Sequence, residues 1–294
     1  MAPVAAMHLA PTKDARQGEL VLLAPHTDQV PTCLAGLSLD PTRHLELLGA
    51  MQRMRGKLYL DEGALTPAQL SSDGRHRLPA DDAAWHILTL DGDGEVVGCA
   101  RYMSHKNTAS FTQLGLSQSA LAKSDQWAQK LRSAVEADMQ HARRLGLDYV
   151  EVGGWAISPK LRNTSHALRI ALAAYGLARL LGGCVGVGTV TERHLSSSIL
   201  RRMGGHSFRA EGMELPTYFD SSYRCQMEIL RFESASPNPR FEKWIEELQN
   251  YLVTAQTISS FDSSLLNLQL VVDDWQTDQQ PIDESLDSVC YQLS

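Results

Sequence analysis

The sequence predicts a mixed α/β fold, one central sheet with helices on both of its faces. Three observations predict it. Strand-like and helix-like patterns alternate through the middle of the chain, from about residue 145 to 232. The front half instead pairs two strand patterns across a short turn, so the sheet is mixed rather than wholly parallel. Finally, 294 residues with 43% hydrophobic and 21% charged content describe an ordinary globular chain with a core.

The elements follow in order. Residues 1–40 are rich in Pro, Ala and Gly, with a short apolar stretch at Glu19–Ala24, and read as an N-terminal arm that is either one edge strand or irregular. Pro41–Leu60 carries Leu45, Leu48, Met51, Met54 and Leu58, the three-to-four spacing of an amphipathic helix capped by Asp40. Residues 61–83 read as loop. Trp85–Leu90 is a strand, Asp91-Gly92-Asp93-Gly94 a hairpin turn, and Glu95–Met103 the returning strand. Asp125–Leu145 is a helix stopped by Gly146. Tyr149–Ile157 is a strand, Ser165–Leu181 a helix and Cys184–Val190 a strand. Glu192–Met203 is a helix, Ser222–Phe232 a strand and Pro239–Thr257 a helix. Residues 41–258 thus form the domain, and 259–294 an acidic, Ser- and Gln-rich tail.

The net charge of −7 belongs to that end of the chain. After Lys243 there are nine acids and no base, which leaves the preceding residues at +2. A near-neutral body suits a phosphate-bearing ligand and does not demand nucleic acid. No apolar run approaches the roughly 20 residues of a membrane helix. The start lacks a basic, apolar leader pattern. Five scattered cysteines, none in a CxxC pair, suggest neither a disulfide framework nor a metal knuckle, and a reducing cytoplasm is the expected setting. Asp91–Gly94 lacks the further ligands of a calcium loop. Gly183–Gly188 does not satisfy the dinucleotide fingerprint.

The informative stretch is EVGGWAISPKLRNTSHA, residues 151–167. Two glycines inside a strand mark a bulge or a close backbone approach. Gly153-Gly154 would bend this strand away from Cys184–Val190 and open a V-shaped slot with unpaired backbone groups, to which an extended amide chain can add. Directly afterwards, Arg162, Asn163, Thr164, Ser165, His166 and Ala167 open a helix, where free N–H groups and the positive dipole end favour a diphosphate. A slot for an amide chain beside a diphosphate nest has the shape of pantetheine joined to a nucleotide.

The run Arg162-x-x-Ser165-x-Ala167 after a strand resembles the Arg/Gln-x-x-Gly-x-Gly/Ala motif of the GNAT acyltransferase superfamily. Over residues 41–232 the order of elements is similar to that of acyl-homoserine lactone synthases and N-acyl amino acid synthases. Arg55 and Tyr59 on the first helix, Asp81 and Asp82 before Trp85, Arg101 and Tyr102 in the hairpin, and Tyr149-Val150-Glu151 support this. Three positions depart from the pattern. Ser165 replaces a glycine, Gly154 stands where the lactone synthases have arginine, and Leu200 stands where many GNAT enzymes have a tyrosine acid.

The resemblance implies direct attack of an amine on a pantetheine thioester, without a metal. Glu151 is the expected base, with a pKa raised by the apolar faces of Val150 and Trp155. A backbone N–H near Trp155–Ile157 would hold the oxyanion. Residues 162–167, Ile157 and His194 would contact the donor. Arg55, Tyr59 and Arg101 would contact the acceptor, the arginines through a carboxylate. Glu151 paired with Arg101 or Arg55, and the arginines as helix supports, are the structural alternatives. The donor is acyl-CoA or an acyl carrier protein. The latter would need a basic rim, which Arg132, Arg143, Arg144, Arg169, Arg193, Arg201 and Arg202 are available to supply. The acceptor is a small amine, such as an amino acid. The rival reading is a non-catalytic GNAT-fold protein that binds an acyl thioester or regulates.

Overall fold

A computed structural model of the chain describes residues 18–26, 30–105, 107–162 and 164–261. In chain order they form β1 (Glu19–Leu23), β2 (Leu37–Leu39), α1 (Pro41–Asp61), β3 (Trp85–Leu90), β4 (Val96–His105), α2 (Ala128–Leu145), β5 (Asp148–Ile157), α3 (Ser165–Leu180), β6 (Cys184–Thr191) and α4 (Ser196–Met203). Four short strands follow, β7 (His206–Ser207), β8 (Arg209–Ala210), β9 (Met213–Glu214) and β10 (Tyr218–Asp220). Then come β11 (Cys225–Glu233), α5 (Glu242–Thr254) and β12 (Thr257–Ser259).

The main sheet runs β10-β11-β6-β5-β4-β3-β1-β12-β2, with β7 also on β11, while β8 and β9 pair separately. Among the described strands, only β5–β6, β1–β12 and β12–β2 are parallel. Alternate residues of β1 show how the layers form. Leu20 and Leu22 join the core beneath α3 and α5, while Val21 and Leu23 join the core beneath α1. A third apolar cluster lies under α2, on the α1 side of the sheet.

β1 corrects the expected edge strand. It lies between β3 and β12 and is buried on both faces. The unbroken apolar run Leu20–Ala24 is the signature of burial on two faces, not of an edge. Its partner β12 begins at Thr257, where the sequence pattern ended the last helix, and reaches Ser259, the first residue of the expected tail. α5 instead stops at Thr254, after starting at Glu242 behind a single turn at Pro239–Phe241. α4 also starts late, because Leu195 adopts a left-handed backbone (φ 61°) that ends the turn Arg193–Leu195. α2 begins at Ala128 rather than Asp125.

Local chemistry accounts for the other boundaries. Asp40 accepts from the Arg43 N–H at 2.9 Å and Pro41 occupies the first helical position of α1. Gly146 closes α2 in the left-handed conformation at φ 68°. The β3–β4 turn is looser than a two-residue Asp-Gly turn. Asp91 Oδ1 accepts from the N–H groups of Asp93 and Glu95, both at 3.0 Å, and only Gly94 takes a positive φ. No described helix is long and apolar enough to cross a membrane.

Candidate acyl-transfer site

The site is built around the middle of β5. Between β4 and β5 the register runs Arg101↔Gly153 and then Cys99↔Ala156, so β5 carries one extra residue. This is a bulge, and Gly154 takes it up at φ 60°. The extra residue reverses the alternation. Before it, Val150 and Val152 face the α3 side; after it, Trp155 and Ile157 do.

On its other edge β5 pairs with β6 from Asp148↔Cys184 to Glu151↔Val187 and no further. Both strands run on, to Ile157 and Thr191, without pairing to each other. The expected splayed pair is therefore present. Gly188 sits where they part, and a side chain there would meet the Val152 carbonyl oxygen at 2.9 Å.

Glu151 lies on the opposite face from Val150 and Trp155, so neither supplies the apolar contact expected of it. Its carboxylate accepts from Gly115 N–H and Leu116 N–H, both at 2.8 Å, and contacts His105 Nε2 at 3.0 Å. Burial alone would raise its pKa. The His105 ring and the two N–H groups outweigh that and hold the carboxyl below its ordinary value. The expected raised pKa is thus corrected. Desolvation is real, but donors to the charged form win. Glu151 also anchors the long segment between β4 and α2, because Gly115–Gln118 is one of its short turns.

Arg55 and Arg101 flank the bulge. A side chain at Gly154 would meet Arg101 Cβ at 3.4 Å and Arg55 Nη1 at 3.5 Å. Arg55 is 1% exposed and holds Asp81 through two bonds of 2.6 and 3.1 Å, with a third to the His76 carbonyl at 2.6 Å. Gln52 Nε2 and Leu78 N–H complete the shell of Asp81, at 3.0 and 3.1 Å. Burial raises the Asp81 carboxyl, but the Arg55 fork more than offsets it and keeps the group ionised. Arg101 is the more open of the two, at 18% side-chain exposure. Its Nη1 lies 3.8 Å from Asp81, and its Nε is buried without a partner. Two cations against one carboxylate leave a net positive charge beside the bulge.

Three rings close this chamber. Tyr59 meets His76 at 5.7 Å and Tyr223 at 6.0 Å between centroids, in edge-to-face geometry. Burial pushes both phenols up, and it pulls His76 down to about 4, so that ring is neutral at pH 7.

The end of α1 also reaches the parted strands. The Arg162 guanidinium pairs with the Glu62 carboxylate. Arg193, just beyond β6, donates to the carbonyls of Glu62 and Arg224, both at 2.9 Å. Thr164 caps α3 by accepting from the His166 N–H at 3.3 Å, and burial lowers the His166 ring. Ser165 and Ala167 lie in the first turn of α3. Asn163 and the His194 side chain fall outside the described residues. Leu200 packs against the core beneath α3. Of the basic rim, Arg132 pairs with Glu136, Arg201 with Glu228, and Arg169 lies over Tyr251. Among the described residues no cluster is placed to hold a metal ion.

Sequence reasoning missed His105, Gly115, Leu116, His76, Tyr223 and Glu62. His105 alone left a signal, since it stands four residues after Arg101 on one strand and so shares its face. The others reach the site from loops and turns.

No protein-family model and no curated protein matches the sequence. Solved structures do match the fold. The CoA-dependent acyl-homoserine lactone synthase BjaI, determined with SAM and isopentyl-CoA, is 12% identical, with a TM-score of 0.51 over 83% of this chain and 93% of that one. The N-acyl amino acid synthase FeeM from uncultured soil microbes is 12% identical, with a TM-score of 0.43 over 67% and 88%. The AHL synthase LasI is 15% identical, with a TM-score of 0.44 over 74% and 91%. The likeness to the first shows a shared fold, the GNAT type with a mixed sheet and one splayed parallel pair.

Proposed function

We propose that this chain, which shares the fold of a CoA-dependent acyl-homoserine lactone synthase, is an N-acyltransferase. It moves an acyl group from a pantetheine thioester to the amine of a small, carboxylate-bearing acceptor. The observation that carries the reading is the parting of β5 and β6 after Glu151 and Val187, directly ahead of the N-terminus of α3. Unpaired strand backbone accepts an amide chain, and the helix start accepts its phosphates.

The acceptor belongs on the α1 side of the sheet, in the chamber of Tyr59, Tyr223 and Arg101. The net positive charge there suits a carboxylate, and Arg101 has both the exposure and the unpartnered Nε to receive one. Arg55 holds Asp81 and supports this group from behind. The amine attacks the thioester carbon, and the developing oxyanion takes a backbone N–H from Trp155–Ile157. The nitrogen sheds a proton through water toward Glu151, the oxyanion collapses as the C–S bond breaks, and the departing thiolate takes up that proton through water to leave as the thiol. With its pKa held down, Glu151 is a weak base that stays ionised throughout the neutral range, so its second contribution is to attract the ammonium that forms during attack.

Native mass spectrometry against a panel of acyl-CoA thioesters, followed by thiol release with pooled amines, tests this. Amine-dependent thiol release from a bound thioester is the expected result. Binding without release under any amine would identify a thioester sensor instead. An absence of pantetheine binding would remove the account of β5 and β6.

A further inference from the structure

The indole N–H of Trp155 has no use within the protein. Trp155 is half-buried, yet its Nε1 is shielded from solvent and finds no acceptor. An indole can only donate, so a buried one without an acceptor is a standing cost. Of the eleven buried side-chain polar atoms left without a partner among the described residues, it is the one on the stretch of β5 that has parted from β6.

Its position supplies a use. The extra residue at Gly153-Gly154 turns Trp155 to the face of α3, the opposite side from the Arg101 chamber. Trp155 is also on the stretch of β5 that has lost β6 as a neighbour. Trp155 thus stands beside the parted strands, with its ring against the core under α3. Phe or Leu would fill the same apolar place without the unmet N–H.

We propose that Trp155 Nε1 is a binding donor for an amide carbonyl of the pantetheine arm, rather than a group acting on the reacting carbonyl. The inference rests on the proposed function, because it takes the molecule between β5 and β6 to be a pantetheine. An amide oxygen is a stronger acceptor than a thioester oxygen, and the arm carries two secondary amides. The backbone N–H groups of Trp155–Ile157 remain for the thioester. Trp155 then acts on affinity for the arm and leaves recognition of the phosphates to Arg162–Ala167.

The test is calorimetric titration of the full chain with CoA, 4′-phosphopantetheine and ADP. It compares the wild type, Trp155→Phe, and a chain with 3-benzothienylalanine at 155, where sulfur replaces N–H at constant shape. Dissociation constants for CoA and 4′-phosphopantetheine should rise about three- to tenfold in both variants. ADP, which has no pantetheine arm, should bind all three alike. The free variants should melt no lower than the wild type, since they lose an unmet polar group. Unchanged affinity for CoA and 4′-phosphopantetheine in both variants would overturn the inference and leave the acyltransferase reading standing. Equal weakening toward ADP would overturn it too, by revealing general damage. If the wild type binds neither CoA nor 4′-phosphopantetheine, the donor reading falls, and this inference with it.

Discussion

Glu151 and His105 meet across the β4–β5 ladder, carboxylate to imidazole at 3.0 Å, with two backbone N–H groups also donating to the carboxylate. One side chain therefore does two jobs. It presents negative charge on the face proposed for the acceptor and pins the segment between β4 and α2. Glu151→Gln should lower turnover by about 10²-fold or more while CoA binding survives. Steady-state rates beside calorimetry would separate the two effects, and parallel losses would argue against a role in proton transfer.

The same carboxylate makes a pH prediction. Its folded pKa lies below the unfolded value, so its stabilising contribution is present above that unfolded value, about 4.3, and is lost as pH falls through the folded one. The melting temperature of the wild type should exceed that of Glu151→Gln by a constant amount from pH 6 to 8. Below about pH 4 the difference should shrink. Melting curves across that range check it, and a difference that widens on acidification would contradict the assignment.

Asp81→Ala should be far more damaging than Arg101→Ala. It would strand the Arg55 guanidinium at 1% exposure with only the His76 carbonyl left. Removing one partner of such a buried pair costs about 3–5 kcal/mol. Chemical denaturation gives the value directly. The double change Arg55→Met with Asp81→Leu should recover much of the loss, because it removes both charges together.

Gly154→Ala should cost about 1–2 kcal/mol from the left-handed backbone alone. It should also press on Arg55 and Arg101, the nearest atoms at 3.5 and 3.4 Å. We expect weaker acceptor binding than donor binding in this variant, since both arginines lie on the side proposed for the acceptor. Separate Michaelis constants for thioester and amine would read this out.

Glu62→Gln should tighten binding of CoA, because Arg162 would no longer divide its charge between Glu62 and an incoming phosphate. The gain should fade with added salt, as expected for a partly exposed pair. Titrations at low and high ionic strength would show it, and weaker binding at both would mean that Glu62 helps to build the donor site.

The strands and helices of the centre were legible because each carries one dominant period and a local stop signal, such as Gly146 after α2. The bulge was legible for a similar reason, since two adjacent glycines in a strand have few other uses. Its consequence for facing was not. Glu151 was placed beside Trp155 by simple proximity in sequence, while the extra residue puts them on opposite sides. The raised pKa expected of Glu151 failed on partners that no local pattern announces, the N–H groups of Gly115 and Leu116, some 35 residues upstream. The edge assignment of β1 failed likewise, since its neighbour β12 comes from the other end of the domain.

That last pairing sets a timetable. Leu22 and Thr257 lie side by side in a parallel ladder, so a strand made first waits for one made last. During synthesis β1 can dock on β3 once the hairpin emerges, but its other edge stays unsatisfied until Thr257–Ser259 leaves the ribosome. Contacts so distant along the chain form slowly. The open edge of β1, apolar and flat, is the surface through which a nascent chain of this fold would mispair with another.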